Sequence, residues 1–248
     1  MVDAVDETLR ARLAAAEADV VDASQKVETA RTELGRIVAE VHETTRRRDA
    51  AEAILIDAEP AMPAAQERYR DTFMVATVSG SDMSVVAFDA YRTAASSQAS
   101  CRIHWTVLAG IGRVESRHGT YGGARPQSDG TTSPRIIGIT LDGRPGIATI
   151  TDTDGGAFDG DRVYDRAVGP MQFIPGTWRT ARRDGNGDGR QDPHSLYDAA
   201  AAAAAYLCRF GGGLDHGGRL NQAILSYNQS QHYVNEVLRY GRSYAHLE

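Results

Sequence analysis

The sequence predicts a mostly α-helical protein with two parts, a long coiled-coil helix and a globular helical domain that contains one small β-hairpin. Three observations predict this fold class. Apolar residues repeat in heptads near the N-terminus, helical periodicity returns after residue 83, and only two short runs are β-prone. With 248 residues, of which 42% are hydrophobic and 24% charged, the chain is long enough for one sizeable core and a smaller element.

Apolar residues alternate in steps of four and three along the N-terminal segment, a spacing typical of a coiled coil. This heptad seam comprises Leu9, Leu13, Ala16, Val20, Ala23, Val27, Ala30, Leu34, Ile37 and Val41. We predict one helix over about residues 5–58, roughly 80 Å long at about 1.5 Å per residue, which Pro60 and Pro63 end. A second helix over about residues 64–78 is too short to cover the whole seam when it folds back. The rest of the seam is then available for a second copy, for the globular domain or for another protein, unless the coil is only a spacer.

The charge distribution places a domain boundary between residues 78 and 79. Residues 1–78 contain 16 acidic and 10 basic residues, whereas residues 79–248 contain 17 of each. The net charge of −6 therefore lies entirely on the N-terminal segment. The neutral C-terminal part has no basic stripe, which argues against a nucleic-acid ligand.

The C-terminal part reads as a succession of short helices around one hairpin. Two β-prone runs, residues 135–140 and 146–151, are joined by LDGRP and predict the hairpin. Helices are predicted over residues 84–95, 103–116 and 199–210, and around Ala223 and Val234.

Glu115 is one of only three glutamates in the C-terminal part, and it lies at the end of an apolar helix. Leu108, Ile111 and Glu115 share one helix face. The carboxyl also lies in the last turn, where the helix dipole disfavours negative charge. Both effects raise its pKa, as a general acid for glycosidic-bond cleavage requires. The alternative is a surface glutamate that pairs with Arg113 or Arg117.

The run RDGNGDGRQD resembles the first half of a calcium loop, in which hard oxygen ligands alternate along the chain. Ser195 occupies the twelfth position in place of a glutamate, so we expect a longer loop that Asp198 closes at the fifteenth. The candidate ligands are Asp184, Asn186, Asp188, the Arg190 carbonyl, Asp192 directly or through water, and Asp198. The alternative is an Asx-rich turn without an ion. A second acidic run, residues 152–161, lacks this spacing and predicts a solvated turn.

Two cysteines, Cys101 and Cys208, are candidates for a disulfide bond, which would indicate an oxidising compartment. Two buried thiols in a cytosolic protein are the alternative.

Three motifs in order give a specific resemblance: GIGRVESRHG (110–119), AVGPMQFIPGTW (167–178) and AILSYNQSQHYV (223–234). Over about residues 82–244 the chain resembles the lytic murein transglycosylases of the membrane-bound lytic transglycosylase B type, in their actinobacterial form. The resemblance implies a lysozyme-like helical domain with Glu115 as its only catalytic carboxylate. It also implies that Gln172, Tyr227 and Asn228 line a sugar cleft, and that calcium binds after the MQF motif. The stretch VYDRAVG lacks a serine that related families have before that motif.

The resemblance implies cleavage of the bond between N-acetylmuramic acid and N-acetylglucosamine in peptidoglycan, with no catalytic cofactor. Phe173, Tyr227 and Tyr233 are candidates to stack on sugar rings, with core packing as the alternative. A muramidase of the same fold, which uses Asp161 or Asp165 to hold a water, is the second reading. A non-catalytic scaffold that recruits cell-wall enzymes through the coil is the third.

The expected location is extracellular or cell-wall associated. No apolar run reaches the ~20 residues of a membrane span, and the sequence has no signal peptide. We therefore expect an export signal or anchor upstream of Met1.

Overall fold

The structure, a computed structural model, describes residues 2–215 and 217–247, with side chains from residue 8 onward. It confirms the mostly helical fold class. The helices are α1 (Val2–Ala58), α2 (Met62–Val78), α3 (Val85–Ser96), α4 (Trp105–Ser116), α5 (Pro175–Ala181), α6 (Leu196–Cys208), α7 (Gly217–Tyr227) and α8 (Gln231–Ser243). The strands are β1 (Arg125–Pro126), β2 (Thr132–Ser133), β3 (Ile137–Thr140) and β4 (Arg166–Val168). None of the described helices combines the length and the apolar character that a membrane crossing needs.

The chain divides into two compact units, residues 1–68 and 69–248. In the first unit, α1 is continuous up to the predicted end at Ala58. The heptad seam is exposed along its length; Leu13 and Val20, for example, are 61% and 65% exposed. Arg36 pairs with Glu33 one turn away, an exposed contact that supports the helix only weakly.

The predicted reversal of the chain after α1 is wrong. A single 3₁₀ turn, Glu59–Ala61, separates α1 from α2, and the backbone keeps right-handed helical angles at both Ala58 and Met62. Pro60 lies in the first turn of this short element, where its missing N–H removes no hydrogen bond. The prolines therefore interrupt the hydrogen-bond pattern of the helix without turning the chain back.

In the second unit, α3, α4, α6 and α8 pack around one core. The N-cap Ser84 starts α3 by accepting a hydrogen bond from the Ala87 N–H. Helix α6 is rich in alanine, and the side chains of residues 199–204 are buried. Because alanine is small, α6 lies close to α3. Phe88, Tyr91 and Leu108 fill the space between the helices and are fully buried.

Glycine allows α4 and α8 to approach closely. A Cβ atom on Gly110 would lie 2.2 Å from the Val237 carbonyl oxygen, and one on Gly241 would lie 2.9 Å from the Thr106 carbonyl oxygen. Any larger residue at Gly110 would push the helices apart. The close contact brings the last turn of α4 next to the first turn of α8.

The predicted hairpin pairs differently from the expectation. Strand β3 pairs antiparallel with β4, with Ile137 opposite Val168, and not with residues 146–151. The chain does reverse after β3, where Ile150 donates to the Leu141 carbonyl, but residues 146–151 contribute only isolated bridges. Val168 is fully buried. Pairing of β3 with β4 therefore buries apolar surface, whereas pairing with the more exposed residues 146–151 would bury less.

Cys101 and Cys208 form a disulfide bond, with their Cα atoms 5.6 Å apart. This confirms the disulfide. It ties the turn before α4 to the last residue of α6, across 107 residues of sequence. In the chain-entropy model a disulfide that closes a loop of this length stabilises the fold by about 4–5 kcal/mol.

Candidate active site

Glu115 lies in the last turn of α4, on the face that also carries Leu108 and Ile111. Both of these residues are fully buried, so the carboxyl projects from an apolar face, as the periodicity predicted. Ser116 anchors the helix end: its hydroxyl donates to the Pro170 carbonyl at 2.5 Å and accepts from the Gly119 N–H at 2.8 Å. The Ser116 contact fixes Glu115 relative to the MQF segment, 54 residues away in sequence.

The chain leaves α4 through left-handed backbone at Arg117 and His118, with φ angles of 53° and 58°. His118 is buried; its Nδ1 lies 3.2 Å from the Tyr91 hydroxyl and its Nε2 lies 2.8 Å from the Tyr244 hydroxyl. Tyr244 in turn donates to Asp82 Oδ1 at 2.8 Å. These contacts hold a backbone conformation that L-residues adopt rarely.

Burial dominates the electrostatics of Glu115. It raises the pKa of the carboxyl from 4.5 to about 7, and a hydrogen bond from Tyr233 partly opposes this rise. The Tyr233 hydroxyl donates to Glu115 Oε1 at 2.5 Å. Burial, with the charge of Glu115 second, raises the pKa of both Tyr227 and Tyr233 well above 10. Both phenols therefore stay protonated near neutral pH and can donate hydrogen bonds.

The Glu115 side chain lines a cavity of about 530 Å³. Asn228 and Tyr233, two residues predicted to bind the sugar, line the same cavity. Asn228 is exposed, whereas Tyr233 is buried on the first turn of α8. The N-cap Ser230 starts α8 by accepting from the Tyr233 N–H. A carboxyl, a phenol and an amide thus face one space large enough for a sugar ring.

The other predicted cleft residues lie around a smaller cavity of about 60 Å³, lined by Gln172, Phe173 and Tyr227. Gln172 has left-handed backbone (φ 51°) and donates from Nε2 to the Gly169 carbonyl at 2.9 Å. The Tyr227 hydroxyl donates to the Met171 carbonyl at 2.8 Å. Phe173 is only 3% exposed and packs edge-to-face on Tyr227, so its ring belongs to the core. Tyr227 lines the smaller cavity, and its neighbour in sequence, Asn228, lines the larger one.

The sequence patterns did not assign the other residues that line the cavity of Glu115, among them Arg113, Arg117, Glu236 and Tyr240. Glu236 and Tyr240 lie one and two turns after Tyr233 on α8, so helical spacing from Tyr233 would have found them. Neither arginine pairs with Glu115. Arg113 Nε lies 2.5 Å from Asp82 Oδ2, without the geometry of a linear hydrogen bond.

The two carboxylates named for the muramidase reading are not among the residues that line this cavity. Asp161 pairs with Arg166 at 3.0 Å. Asp165 is fully buried and accepts from the Thr153 hydroxyl at 2.6 Å. The second carboxylate of the cavity is Glu236, which pairs with Arg239 at 2.6 Å.

The candidate calcium loop connects α5 to α6, and Asp198 lies at its centre. Asp198 is fully buried and accepts from the N–H groups of Gly185 (2.7 Å) and Asp192 (2.8 Å). Burial raises the pKa of Asp198, and the charges of Asp188 and Asp184 raise it further. The loop carries four carboxylates, an amide and a backbone carbonyl, which are the hard oxygen donors that calcium prefers. Among the described residues, no three of these carboxylates have oxygen atoms that all lie within 4.8 Å of one another.

A tighter group of carboxylates combines two residues of the second acidic run, for which we predicted a solvated turn, with Asp165 beyond its end. Oxygen atoms of Asp152, Asp154 and Asp165 lie within 4.8 Å of one another. Asp152 Oδ1 accepts from the Gly155 N–H at 2.8 Å, and Asp165 accepts from Thr153. These hydrogen bonds shape the loop that precedes β4.

Comparison with protein families gives one match in the second unit. Residues 163–213 match the family model described as Transglycosylase SLT domain. This segment contains Gln172 and the candidate calcium loop, and it does not include Glu115. No curated protein matches the chain significantly.

Among solved structures, the chain is similar to the Escherichia coli lytic transglycosylase SLT35. In its complex with bulgecin A the identity is 16%, with 73% of this chain and 78% of that chain covered and a TM-score of 0.44. In its complex with calcium the identity is 18%, with the same coverage and a TM-score of 0.43. A 36 kDa muramidase/transglycosylase is 17% identical, with 73% and 79% covered and a TM-score of 0.42.

Proposed function

We propose that this protein is a peptidoglycan lytic transglycosylase of the membrane-bound lytic transglycosylase B type, whose second unit has a lysozyme-like fold. The observation that carries the proposal is the Glu115 carboxyl, with a pKa of about 7, in the wall of a cavity that a sugar can enter. The match of residues 163–213 to a transglycosylase domain supports peptidoglycan as the substrate class.

Glu115 acts first as the general acid. Protonated near neutral pH, it donates its proton to the glycosidic oxygen between N-acetylmuramic acid and N-acetylglucosamine as the C1–O bond breaks. The acetamido group of the muramoyl residue stabilises the anomeric carbon, since substrate assistance replaces a second carboxylate in some glycosidases. Asn228 and Gln172 hydrogen-bond acetamide groups of the substrate.

Glu115 then acts as the base. Its carboxylate, which the Tyr233 hydroxyl stabilises at 2.5 Å, takes the proton from the 6-hydroxyl of the same muramoyl residue. The 6-oxygen attacks C1, and a 1,6-anhydro ring closes while Glu115 returns to its protonated form. The reaction consumes no water, so it is a carbon–oxygen lyase reaction and not a hydrolysis.

One observation favours a second candidate, a muramidase that hydrolyses the same bond. Glu236 provides another carboxylate in the cavity of Glu115, and its hydrogen bond to Arg239 lowers its pKa. An ionised carboxylate could hold the attacking water. The mass of the product separates the two reactions, because the hydrolytic product is heavier than the anhydro product by one water.

The test is digestion of purified peptidoglycan followed by mass analysis of the released muropeptides. We expect anhydro products from the wild type and from Glu236→Gln. Glu115→Gln should fold normally and lose activity at least about 100-fold, the typical effect of removing a general acid. Retention of more than about a tenth of the rate would refute the role of Glu115. A hydrolytic product that disappears in Glu236→Gln would establish the muramidase.

We propose a structural calcium ion in the loop between α5 and α6. Asp184, Asn186, Asp188, Asp198 and the Arg190 carbonyl would hold it, with Asp192 directly or through water. The ion would neutralise the buried Asp198 and its neighbouring carboxylates. By fixing the loop before α6, it would stabilise the fold without a role in the chemistry.

We propose that the heptad seam is an association surface for a second copy or for a cell-wall protein, with the enzyme acting outside the cytoplasm. The exposure of the seam, including Val20 (65%) and Val27 (51%), supports this, because burying apolar surface stabilises a complex by about 25 cal/mol per Å². Light scattering should give a dimer mass for the full chain and a monomer mass for Val20→Glu with Val27→Glu. A wild-type monomer would exclude the dimer and leave a protein partner, the basis of a scaffold role.

A further inference from the structure

Arg117 is a cation of the active-site cavity that lacks a counter-ion among the described residues. It lines the cavity with Glu115 and is exposed, and no ion pair or side-chain hydrogen bond of Arg117 occurs in the described part of the chain. The other charged residues of the wall are balanced. Arg113 pairs with Asp82, and Glu236 pairs with Arg239. When Glu115 is protonated, the positive charge of Arg117 is unmatched.

The backbone of Arg117 ends α4 in a left-handed conformation that an arginine rarely adopts. Its N–H donates to the Arg113 carbonyl at 3.2 Å, and its backbone is left-handed, with φ 53° and ψ 52°. The next residue, His118, is also left-handed and is anchored by Tyr91 and Tyr244. Such a conformation persists only where the surrounding structure fixes it, and it is typical of functional sites.

We propose that Arg117 binds a carboxylate on the muramoyl substituent of the substrate, an inference that rests on the proposed function. A guanidinium group forms two parallel hydrogen bonds with a carboxylate. The lactyl group of a muramoyl residue ends in a carboxylate, or carries a peptide with carboxylates of its own. N-acetylglucosamine has only hydroxyl and acetamido groups. Arg117 therefore determines specificity: it favours the muramoyl residue in the subsite next to Glu115.

The test measures binding in a Glu115→Gln background, where the substrate is not consumed. Calorimetry compares three glycan fragments: one with free peptide carboxylates, one with these carboxylates amidated, and one with the peptides removed, which exposes the lactyl carboxylate. Adding Arg117→Gln should weaken binding of a carboxylate-bearing fragment about tenfold, as expected for a lost charge-assisted hydrogen bond. The amidated fragment should change less than about twofold. Arg117→Lys should recover part of the loss.

A matched control is Arg242→Gln, since Arg242 is an exposed arginine of α8 that is not among the residues lining the cavity. It should change binding of every fragment less than about twofold. A tenfold loss with the first fragment identifies a peptide carboxylate as the ligand, and a loss with the third identifies the lactyl carboxylate. Equal effects of Arg117→Gln on all three fragments, or no binding by the Glu115→Gln protein, would overturn the proposal.

Kinetics provides the second readout. In the active enzyme, Arg117→Gln should raise KM about tenfold with kcat within about twofold of wild type, since the lost contact is present in both ground and transition states. A lower kcat at unchanged KM would indicate a displaced Glu115 and would overturn the proposal. If binding depends on the carboxylate but the enzyme forms no anhydro product, the proposed function is refuted and this inference stands. Anhydro product without carboxylate discrimination refutes only this inference.

Discussion

Replacing Tyr233 by phenylalanine is expected to raise the pKa of Glu115 and to move the alkaline limb of activity to higher pH. Burial raises the pKa of Glu115 to about 7, against the opposing hydrogen bond from Tyr233. The hydroxyl donates to Oε1 at 2.5 Å and so stabilises the carboxylate. In Tyr233→Phe this hydrogen bond is lost and the effect of burial remains.

The size of the shift follows from that one hydrogen bond. A hydrogen bond to a charged group contributes about 1.5–3 kcal/mol, and about 1.36 kcal/mol corresponds to one pKa unit. The pKa of Glu115 should therefore rise by about one to two units in Tyr233→Phe. Because Glu115 must be protonated to act as the acid, the variant should keep a larger fraction of its activity above about pH 7.

The assay is the initial rate of anhydro-muropeptide formation, measured as kcat/KM from about pH 5 to about pH 9, which reports the ionisation of the free enzyme. Tyr121→Phe is the matched control, because Tyr121 lines the same cavity but is 62% exposed and donates no described hydrogen bond to Glu115. Its profile should match that of the wild type. An alkaline limb that stays in place in Tyr233→Phe, or moves to lower pH, would refute the reasoning.

Three further outcomes concern stability. Burial raises the pKa of Glu115 from 4.5 to about 7. The contribution of the protonated carboxyl to stability is therefore complete below about pH 4.5 and is lost as the pH rises through about 7. Glu115→Gln should be more stable than wild type by up to about 3 kcal/mol at about pH 8, with little difference at about pH 4. Calcium should raise the melting temperature by binding only the native state, and Asp184→Ala with Asp188→Ala should abolish the rise; unchanged melting of the wild type in chelator would show that the loop binds no structural calcium. Cys101→Ser with Cys208→Ser should lower the free energy of unfolding by about 4–5 kcal/mol. If a reductant destabilises the double variant as much as the wild type, the disulfide is not the source of this stability.

The sequence by itself determined the features that depend on local periodicity. Heptad spacing predicted one long helix and the following prolines its end at Ala58, and apolar spacing predicted the helix of Glu115 with Leu108 and Ile111 on its face. Both predictions hold because side-chain direction in a helix follows from position alone. The disulfide was one of two alternatives open to the sequence, and the structure decided between them.

Where residues meet across the fold was decided by tertiary structure. Tyr233 was singled out as a candidate to stack on sugar, yet its contact with Glu115 spans 118 residues and depends on the close approach of α4 and α8 at Gly110. Strand β3 pairs with β4 because this pairing buries Val168. Local β-propensity does not indicate which partner strand will bury a residue. The chain continues after Pro60 because a proline in a first helical turn is compatible with a helix as well as with a turn.

The environment of the Glu115 carboxyl shows the same division. The sequence placed Glu115 on an apolar face and so gave the direction of its pKa shift. The opposing hydrogen bond of Tyr233, the carboxylate of Glu236 and the unmatched charge of Arg117 come from side chains that share the cavity only after α4 and α8 have packed. Hydrogen bonds and ion pairs act over a few ångströms, so the fold sets the chemistry of a residue whose identity and helix face the sequence alone had already determined.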